Sequence, residues 1–401
     1  MADFWTFHSA GELVFGPGSV RQVGRLAARM GLKKILIVTD ERLASAGLTK
    51  SVTAPLAEAG IHAALCTAGE PEPSFEAADR CVADARDYNP DGVLGLGGGS
   101  NMDLAKMTGT VLAHGGVPRD YAGDDRVSGP ILPVICIPTT AGTGSEVSAA
   151  YVLSDRQAEV KVGVLSNYLR PRLAIVDPLL THSCPPQVTA DSGIDALTHA
   201  IEAYTAVDHQ RFPLPPGEVS AFQGRQPLSD CIAERAIQLI GANLERAVTT
   251  PHDAQAREAM ALGATLAGMA FSNVGVALVH ALEYPIGGLT HCSHGAGNGL
   301  LLPFVMRFNL PGREAEMARI ARLLGAETAG LDDHAAALTG IRRIELLKRA
   351  IGIPERLRDL GVGVEHLPML AEKTFAIQRI LRVNPRTVSL SDLMAVLESA
   401  L

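Results

Sequence analysis

Short unbroken apolar runs alternate, through the first half of the chain, with stretches whose apolar residues return every three or four positions. Ile35 to Val38, inside KKILIVTD (33–40), is aliphatic without a break, the pattern of a parallel strand buried on both faces. SVTAPLAEAG then reads as a helix ending at Gly60, IHAALCT as a second strand and FEAADRCVADARDYN as a second helix. DGVLGLGGGS is a strand running into a glycine loop, and NMDLAKMTGTVLAHGG is the helix that follows. The order β-α-β-α-β-α predicts a mostly parallel sheet covered on both faces, with ligands at the carboxyl ends of its strands. The second half is helical throughout: SDCIAERAIQLIGANLERAV, DAQAREAMALGATLAGMAF, REAEMARIARLLG and the last turns to Leu401 all carry the helical period. Ahead of these helices lies DHQRFPLPPGEVSAFQGRQPLSD (208–230), a polar, proline-rich insertion unlike its surroundings.

Composition narrows the function classes. The chain has 401 residues, enough for two domains with separate cores, and 47% of them are hydrophobic, which disfavours disorder. Its 35 Lys and Arg against 43 Asp and Glu give a net charge of −8 with the signs interspersed, so no nucleic-acid or anionic-membrane footprint is expected. A small-molecule partner is favoured. The six cysteines (Cys66, Cys81, Cys136, Cys184, Cys231, Cys292) have no CxxC spacing, which suggests reduced thiols and a cytoplasmic setting. The first twenty residues lack a basic segment followed by an apolar one, and no apolar run reaches membrane length, so secretion and membrane insertion are not expected.

The chemistry gathers in a few segments. In DSGIDALTHAIEAY, Asp195 and His199 stand four residues apart and share a helix face. Alone, such a pair is more often an ordinary side-chain contact than a pair of metal ligands. His280 in an apolar run and His294 after a glycine-containing turn raise its meaning: one carboxylate oxygen and three imidazole nitrogens form a donor set for Fe(II), Zn(II) or another first-row ion, with a position left for substrate. The second signal is the loop Gly97, Gly98, Gly99, Ser100, where backbone N–H groups and a helix start suit a pyrophosphate. Asp40 ends the first strand where a carboxylate accepts from ribose hydroxyls and repels a 2′-phosphate, favouring NAD. Here the acid precedes the glycine loop, whereas in the ordinary dinucleotide motif it follows, so a distinct α/β arrangement is expected. The third signal is PVICIPTTAGTGSE, whose Thr139, Thr140, Thr143 and Ser145 offer hydroxyls beside Gly142 and Gly144.

Taken together, FGPGSV (15–20), GGGSNMDLAK (97–106), IPTTAGTGSEV (137–147), DALTHAIEAY (195–204), the 14-residue interval from His280 to His294 and the closing NPRTVSLSDLMAVL resemble the iron-containing, or group III, alcohol dehydrogenases. The resemblance spans almost the whole chain. It implies an α/β nucleotide-binding domain like that of dehydroquinate synthase over 1–183, an all-α domain holding metal and substrate over 184–401, and a homodimer or larger homo-oligomer. The family's metal ligands fall on Asp195, His199, His280 and His294, with Fe(II) expected and Zn(II) permitted. Its nucleotide positions fall on Asp40, Gly98, Gly99, Ser100, Asp103, Thr139, Thr140 and Thr143, with Lys161 in addition.

Three positions depart from the pattern. Asn101 replaces the proline many members carry after GGGS, with little expected effect because a helix can still start there. Glu72 stands where several members have Asn near the nicotinamide, and Tyr284 where many have a histidine, making Tyr284 the candidate proton relay. The expected reaction is hydride transfer between a small alcohol or diol and NAD. The 208–230 insertion, with its QG-x-x-P-x-SD run, and Tyr284-Pro285 also resemble the family's hydroxyacid-oxoacid transhydrogenase branch, so a hydroxyacid substrate read by Arg211 or Arg225 is the alternative. A lyase on the same architecture would use NAD only transiently, and a metallohydrolase would not need the nucleotide loops.

Overall fold

The computed structural model describes residues 4–157, 160–214 and 217–401. The chain divides into two compact units. One is His8–Cys184 with Gly217–Ala221, and the other holds the rest of the chain from Pro185 onward together with the N-terminal segment up to Phe7. The sequence-based division had assigned that N-terminal segment to the α/β domain. Its anchor is Thr6, whose N–H donates to Gln223 Oε1 at 3.1 Å while Gln223 Nε2 donates to Thr6 Oγ1 at 2.7 Å.

In the first unit the strands are β1 (Leu13–Phe15), β2 (Lys34–Val38), β3 (His62–Cys66), β4 (Gly92–Gly97), β5 (Gly123–Asp124), β6 (Val134–Pro138), β7 (Ala150–Asp155), β8 (Val160–Leu165) and β9 (Leu173–Val176). Six of them form a sheet ordered β1-β9-β6-β4-β2-β3 with every pairing parallel. Its helices are α1 (Val23–Arg29), α2 (Glu41–Ser45), α3 (Lys50–Glu58), α4 (Phe75–Tyr88) and α5 (Gly99–His114). The aliphatic run in β2 explains the layering. Ile35 and Ile37 join a core with Leu26, Val52 and Leu56 from α1 and α3, whereas Leu36 and Val38 face a core with Cys81, Leu104 and Met107 from α4 and α5.

Two features were not expected from the sequence. β1 and β9 extend the sheet on one side; β1 is only three residues long and only partly buried, too short to show a period. The second is a small sheet ordered β5-β8-β7, in which β7 and β8 pair antiparallel.

The second unit is helical: α6 (Pro186–Thr205), α7 (Pro227–Thr249), α8 (Ala254–Val274), α9 (Leu278–Thr290), α10 (His294–Asn309), α11 (Glu314–Leu323), α12 (Asp333–Ala350), α13 (Leu367–Phe375), α14 (Gln378–Leu381) and α15 (Leu390–Ala400). Small residues set its closest approaches. A methyl group on Gly295 would come within 2.0 Å of Asp191 O, and one on Gly299 within 2.7 Å of Ile194, so the glycines of HGAGNG let α10 lie against α6. That approach brings His294 beside Asp195.

Candidate metal centre and nucleotide site

Asp195 and His199 lie one turn apart on α6, His280 in the first turn of α9, and His294 at the first position of α10. Ligand atoms of Asp195, His280 and His294 all lie within 4.8 Å of one another. Asp195 Oδ1 is 3.8 Å from His280 Nε2 and 3.9 Å from His294 Nε2, while Asp195 Oδ2 is 3.8 Å from His199 Nδ1. His199 is outside that closest trio but stacks on His280, with ring centroids 4.7 Å apart, and on Phe271 at 4.2 Å. Metal bonds of about 2.0–2.2 Å place neighbouring donors roughly 3 to 3.5 Å apart, so a small inward adjustment converts this spacing to a coordination polyhedron.

Partners on the far side of each ring set the tautomers. His280 Nδ1 lies 2.6 Å from Glu202 Oε2, and Glu202 also accepts from the N–H groups of Ala277 at 2.8 Å and Val279 at 2.7 Å. His294 Nδ1 pairs with the fully buried carboxylate of Glu283. Each carboxylate takes the Nδ1 proton and leaves the Nε2 lone pair facing Asp195. Buried His280 Nε2 and His199 Nδ1 have no hydrogen-bond partner, a costly state for a polar atom that a bound cation relieves. Asn298 Nδ2 donates to Asp195 Oδ1 at 2.8 Å and approaches His294 Nε2 at 3.0 Å.

Electrostatics agree with a cation site. Burial opposes the charge of Asp195, yet the three imidazoles and the Asn298 amide hold its carboxyl below the usual range. Burial pushes His199 down to about 3, a fall that the Asp195 charge only partly offsets. An ionised carboxylate beside the neutral His199 imidazole suits a divalent ion. Tyr284 is near this group, its ring 6.1 Å from that of His294.

The nucleotide residues gather at the carboxyl ends of the parallel strands. No side chain caps α5 at Gly98, so the first-turn N–H groups of that helix keep their capacity for an anion. Thr139 N donates to Gly97 O at 2.9 Å, and a methyl group on Gly99 would meet Thr143 at 2.8 Å, which brings the glycine and threonine loops side by side; Thr140 is next to Gly98. Other residues expected at the cofactor have partners of their own. Asp103 accepts from Ser145 Oγ at 2.6 Å and Val152 N at 2.9 Å, bracing the threonine loop from behind. Lys161 pairs with Glu72 at 2.9 Å, which gives the Glu72 departure a local role. Asp40 caps α2, its Oδ1 accepting from Arg42 N and Leu43 N, each at 3.0 Å.

Sequence reasoning missed Glu202, Glu283, Asn298 and Lys106. Lys106 is fully buried, and its Nζ donates to Ser145 Oγ, to the carbonyl and hydroxyl of Ser148 and to Ala150 O over 2.8–3.2 Å, fastening α5 to the threonine loop. A signal for the two glutamates was available: His199-Ala-Ile-Glu202 and His280-Ala-Leu-Glu283 are the same four-residue pattern. Arg225, the other arginine considered for a substrate carboxylate, has a different task. Its Nε donates to both oxygens of Asp230 at 2.9 and 3.0 Å, its Nη1 to Glu316, and its guanidinium stacks over Tyr204.

Comparison with known proteins agrees with this layout. Residues 10–178 match the model of the iron-containing alcohol dehydrogenases, and residues 219–401 match the C-terminal domain of the Fe-containing alcohol dehydrogenase family. The chain is 37% identical over 388 residues to the NAD-dependent methanol dehydrogenase of Bacillus methanolicus, covering 97% of each protein. It is 39% identical over 401 residues to long-chain-alcohol dehydrogenase 1 of Geobacillus thermodenitrificans (strain NG80-2), covering 98% of this chain and 97% of the relative. The crystal structure of a 1,3-propanediol oxidoreductase superposes with a TM-score of 0.92 at 36% identity over 99% of this chain and 100% of the other. The protein is an oxidoreductase acting on CH–OH groups, and the chain belongs to the iron-containing alcohol dehydrogenase family.

Proposed function

We propose that this protein is an NAD-dependent, divalent-metal-dependent dehydrogenase of a small alcohol or diol, yielding an aldehyde or ketone. The observation that carries the proposal is the convergence of Asp195, His280 and His294 within 4.8 Å, with His280 Nε2 and His199 Nδ1 buried and unpartnered among the described residues. The cation and NAD, when bound, supply Lewis acidity at the substrate hydroxyl and a hydride acceptor. Asp195 provides the one anionic ligand, and His199, His280 and His294 the neutral ones. Glu202 and Glu283 hold two of the rings in the tautomer that keeps Nε2 available. The donor set suits Fe(II), the family's expected ion, and accepts Zn(II) equally.

The first turn of α5 receives the cofactor pyrophosphate at Gly98, Gly99 and Ser100, with Gly97 turning the chain into the loop. Thr139, Thr140 and Thr143 line it, and Asp103 and Lys161 shape the surroundings through Ser145 and Glu72. Asp40 accepts from the adenosine ribose and excludes a 2′-phosphate. Tyr284 is the side chain we place on the proton's way out. The α/β domain gives way to the helical domain at residues 183–184, with the N-terminal segment up to Phe7 joining the helical domain. All six cysteines are free thiols, in keeping with a cytoplasmic homo-oligomer that has no nucleic-acid or membrane partner.

The test is an anaerobic NAD-reduction screen over short alcohols, diols and 4-hydroxybutyrate, using protein reconstituted with Fe(II), Zn(II), Mn(II) or no metal. Metal-dependent NADH formation from an alcohol or diol is the expected result. Metal-independent turnover, or none with any alcohol, removes the proposal.

A further inference from the structure

The side chain of Asn101 has no part in the reading above, yet it occupies the point where three strand ends meet. It is 2% exposed. Its Nδ2 donates to Asp40 Oδ2 at 2.8 Å, just beyond β2, and to Leu96 O at 3.1 Å in β4. The space is built for it. A methyl group on Gly97, whose φ is +144°, would lie 2.1 Å from Asn101 Nδ2, and one on Gly69, beyond β3, would lie 2.1 Å from Asn101 Oδ1. Both amide hydrogens are therefore used, one on a backbone carbonyl that fixes the side chain and one on the Asp40 carboxylate.

The consequence concerns the free valence of Asp40. Its Oδ1 is spent on two N–H groups of α2, and its Oδ2 on Asn101, leaving Oδ2 with one remaining lone pair. All three donors are neutral, so the carboxylate is oriented without being charge-compensated. A carboxylate held this way presents a directed acceptor to a hydroxyl and a fixed negative charge to a phosphate. We infer that Asn101 is a specificity-positioning residue: it locks the Asp40 carboxylate in the orientation that accepts from the adenosine ribose and rejects a 2′-phosphate. The inference rests on the Asp40 role proposed above and adds the group that enforces it. Asn101 thereby does more than start a helix, which is all the sequence pattern asked of it.

Calorimetric titration of NAD and of NADP into metal-loaded protein tests this without relying on turnover. Wild type, Asn101→Ala, Asn101→Leu, Asp40→Gly and the Asp40→Gly/Asn101→Ala double variant are compared. Loss of one hydrogen bond to a charged acceptor predicts that Asn101→Ala weakens NAD about tenfold with NADP unchanged or tighter. Asn101→Leu, which fills nearly the same space without a donor, should do the same if the alanine variant fails to fold. In the Asp40→Gly background, Asn101→Ala should leave the NAD to NADP ratio unmoved, since the carboxylate it orients is gone. If Asp40→Gly itself leaves the ratio at the wild-type value, the Asp40 role fails and this inference with it. If Asp40→Gly shifts the ratio but Asn101→Ala weakens both cofactors equally, or shifts the ratio as much with Asp40 absent, the Asp40 role stands and the positioning role of Asn101 is overturned.

Discussion

The metal cluster and the nucleotide loops hold their ligands by opposite means. In the cluster, side chains from three helices point their lone pairs at one another, and buried carboxylates on the outside, Glu202 and Glu283, keep two of them so pointed. In the loops, the charged side chains are bonded to neighbours already: Asp103 to Ser145 and Val152, Lys161 to Glu72, Asp40 to α2 and Asn101. What remains available there is backbone at the start of α5 and the last Oδ2 lone pair of Asp40. A buried nitrogen unpartnered among the described residues, as at His280 Nε2 and His199 Nδ1, marks the cation site, and a side chain held on several partners, like Asp103, acts as a brace.

The sharpest way to break this contrast is to remove a ligand. His280→Ala should abolish metal retention and lower kcat by roughly a thousandfold or more, because the Lewis acid is lost rather than weakened. Circular dichroism should remain native and NAD affinity should stay near wild type, since the hydrogen bond His280 makes is to Glu202 within the helical unit. Full metal occupancy in the variant, measured by elemental analysis, would exclude His280 as a ligand.

Next in size is a comparison of the two outer carboxylates. Glu202→Gln and Glu283→Gln should each weaken metal binding about ten- to hundredfold, read by chelator competition. Glu202→Gln should also lower stability. Glu202 also accepts two backbone N–H groups at the start of α9, so glutamine sets an amide NH₂ against a donor and costs about 1–3 kcal/mol. The melting temperature of Glu202→Gln against that of wild type reads this cost. Equal melting temperatures would show that Glu202 does not organise the turn into α9.

These two residues also show where sequence reading stops. Asp195 and His199 were legible because a single helix fixes their spacing, and β2 was legible because its aliphatic run admits few other environments. Glu202 and Glu283 are each three residues after a histidine, which suggests a partner on the same helix. Each instead holds the next histidine of the metal cluster, Glu202 reaching His280 and Glu283 reaching His294. Only the packing of α6, α9 and α10 decides that. Lys106 was illegible for a similar reason: on α5 it reads as a surface lysine, and only the return of residues 145–150 beneath it supplies the oxygens that bury it. The strand order, with β1 and β9 at the edge, likewise follows from long-range pairing that no local period encodes.

A smaller effect should appear in the pH dependence of the metal-free protein. Burial lowers the folded-state pKa of His199 from 6.5 to about 3, so on acidification the unfolded chain takes up the proton first. Stability is complete above about pH 6.5 and declines as pH falls toward 3, with a slope approaching about 1.4 kcal/mol per unit from this group. Asp195, also depressed when folded, contributes stability that is present above the ordinary carboxylate range and lost as pH falls through its folded value. Thermal melts of the apo-protein between pH 7.5 and 4.5 should slope accordingly, and His199→Phe, which keeps a ring against Phe271, should flatten them. A wild-type profile already flat over that interval would contradict the buried neutral state of His199.

The least effect on catalysis is expected at Arg225, and it separates an alcohol substrate from a hydroxyacid. A residue reading a substrate carboxylate needs uncompensated charge, but the Arg225 guanidinium is held by Asp230 and Glu316 and lies over the Tyr204 ring. By the rule drawn from the two sites, it is a brace for the 208–230 insertion. Arg225→Ala should therefore leave KM unchanged within about twofold for both a short primary alcohol and 4-hydroxybutyrate. Its cost should fall on stability instead, about 1–3 kcal/mol, because two partly buried carboxylates lose a shared partner. Arg211, exposed and with no side-chain partner among the described residues, is the control, and its alanine variant should change neither. A selective rise in KM for 4-hydroxybutyrate in either variant would restore the hydroxyacid reading.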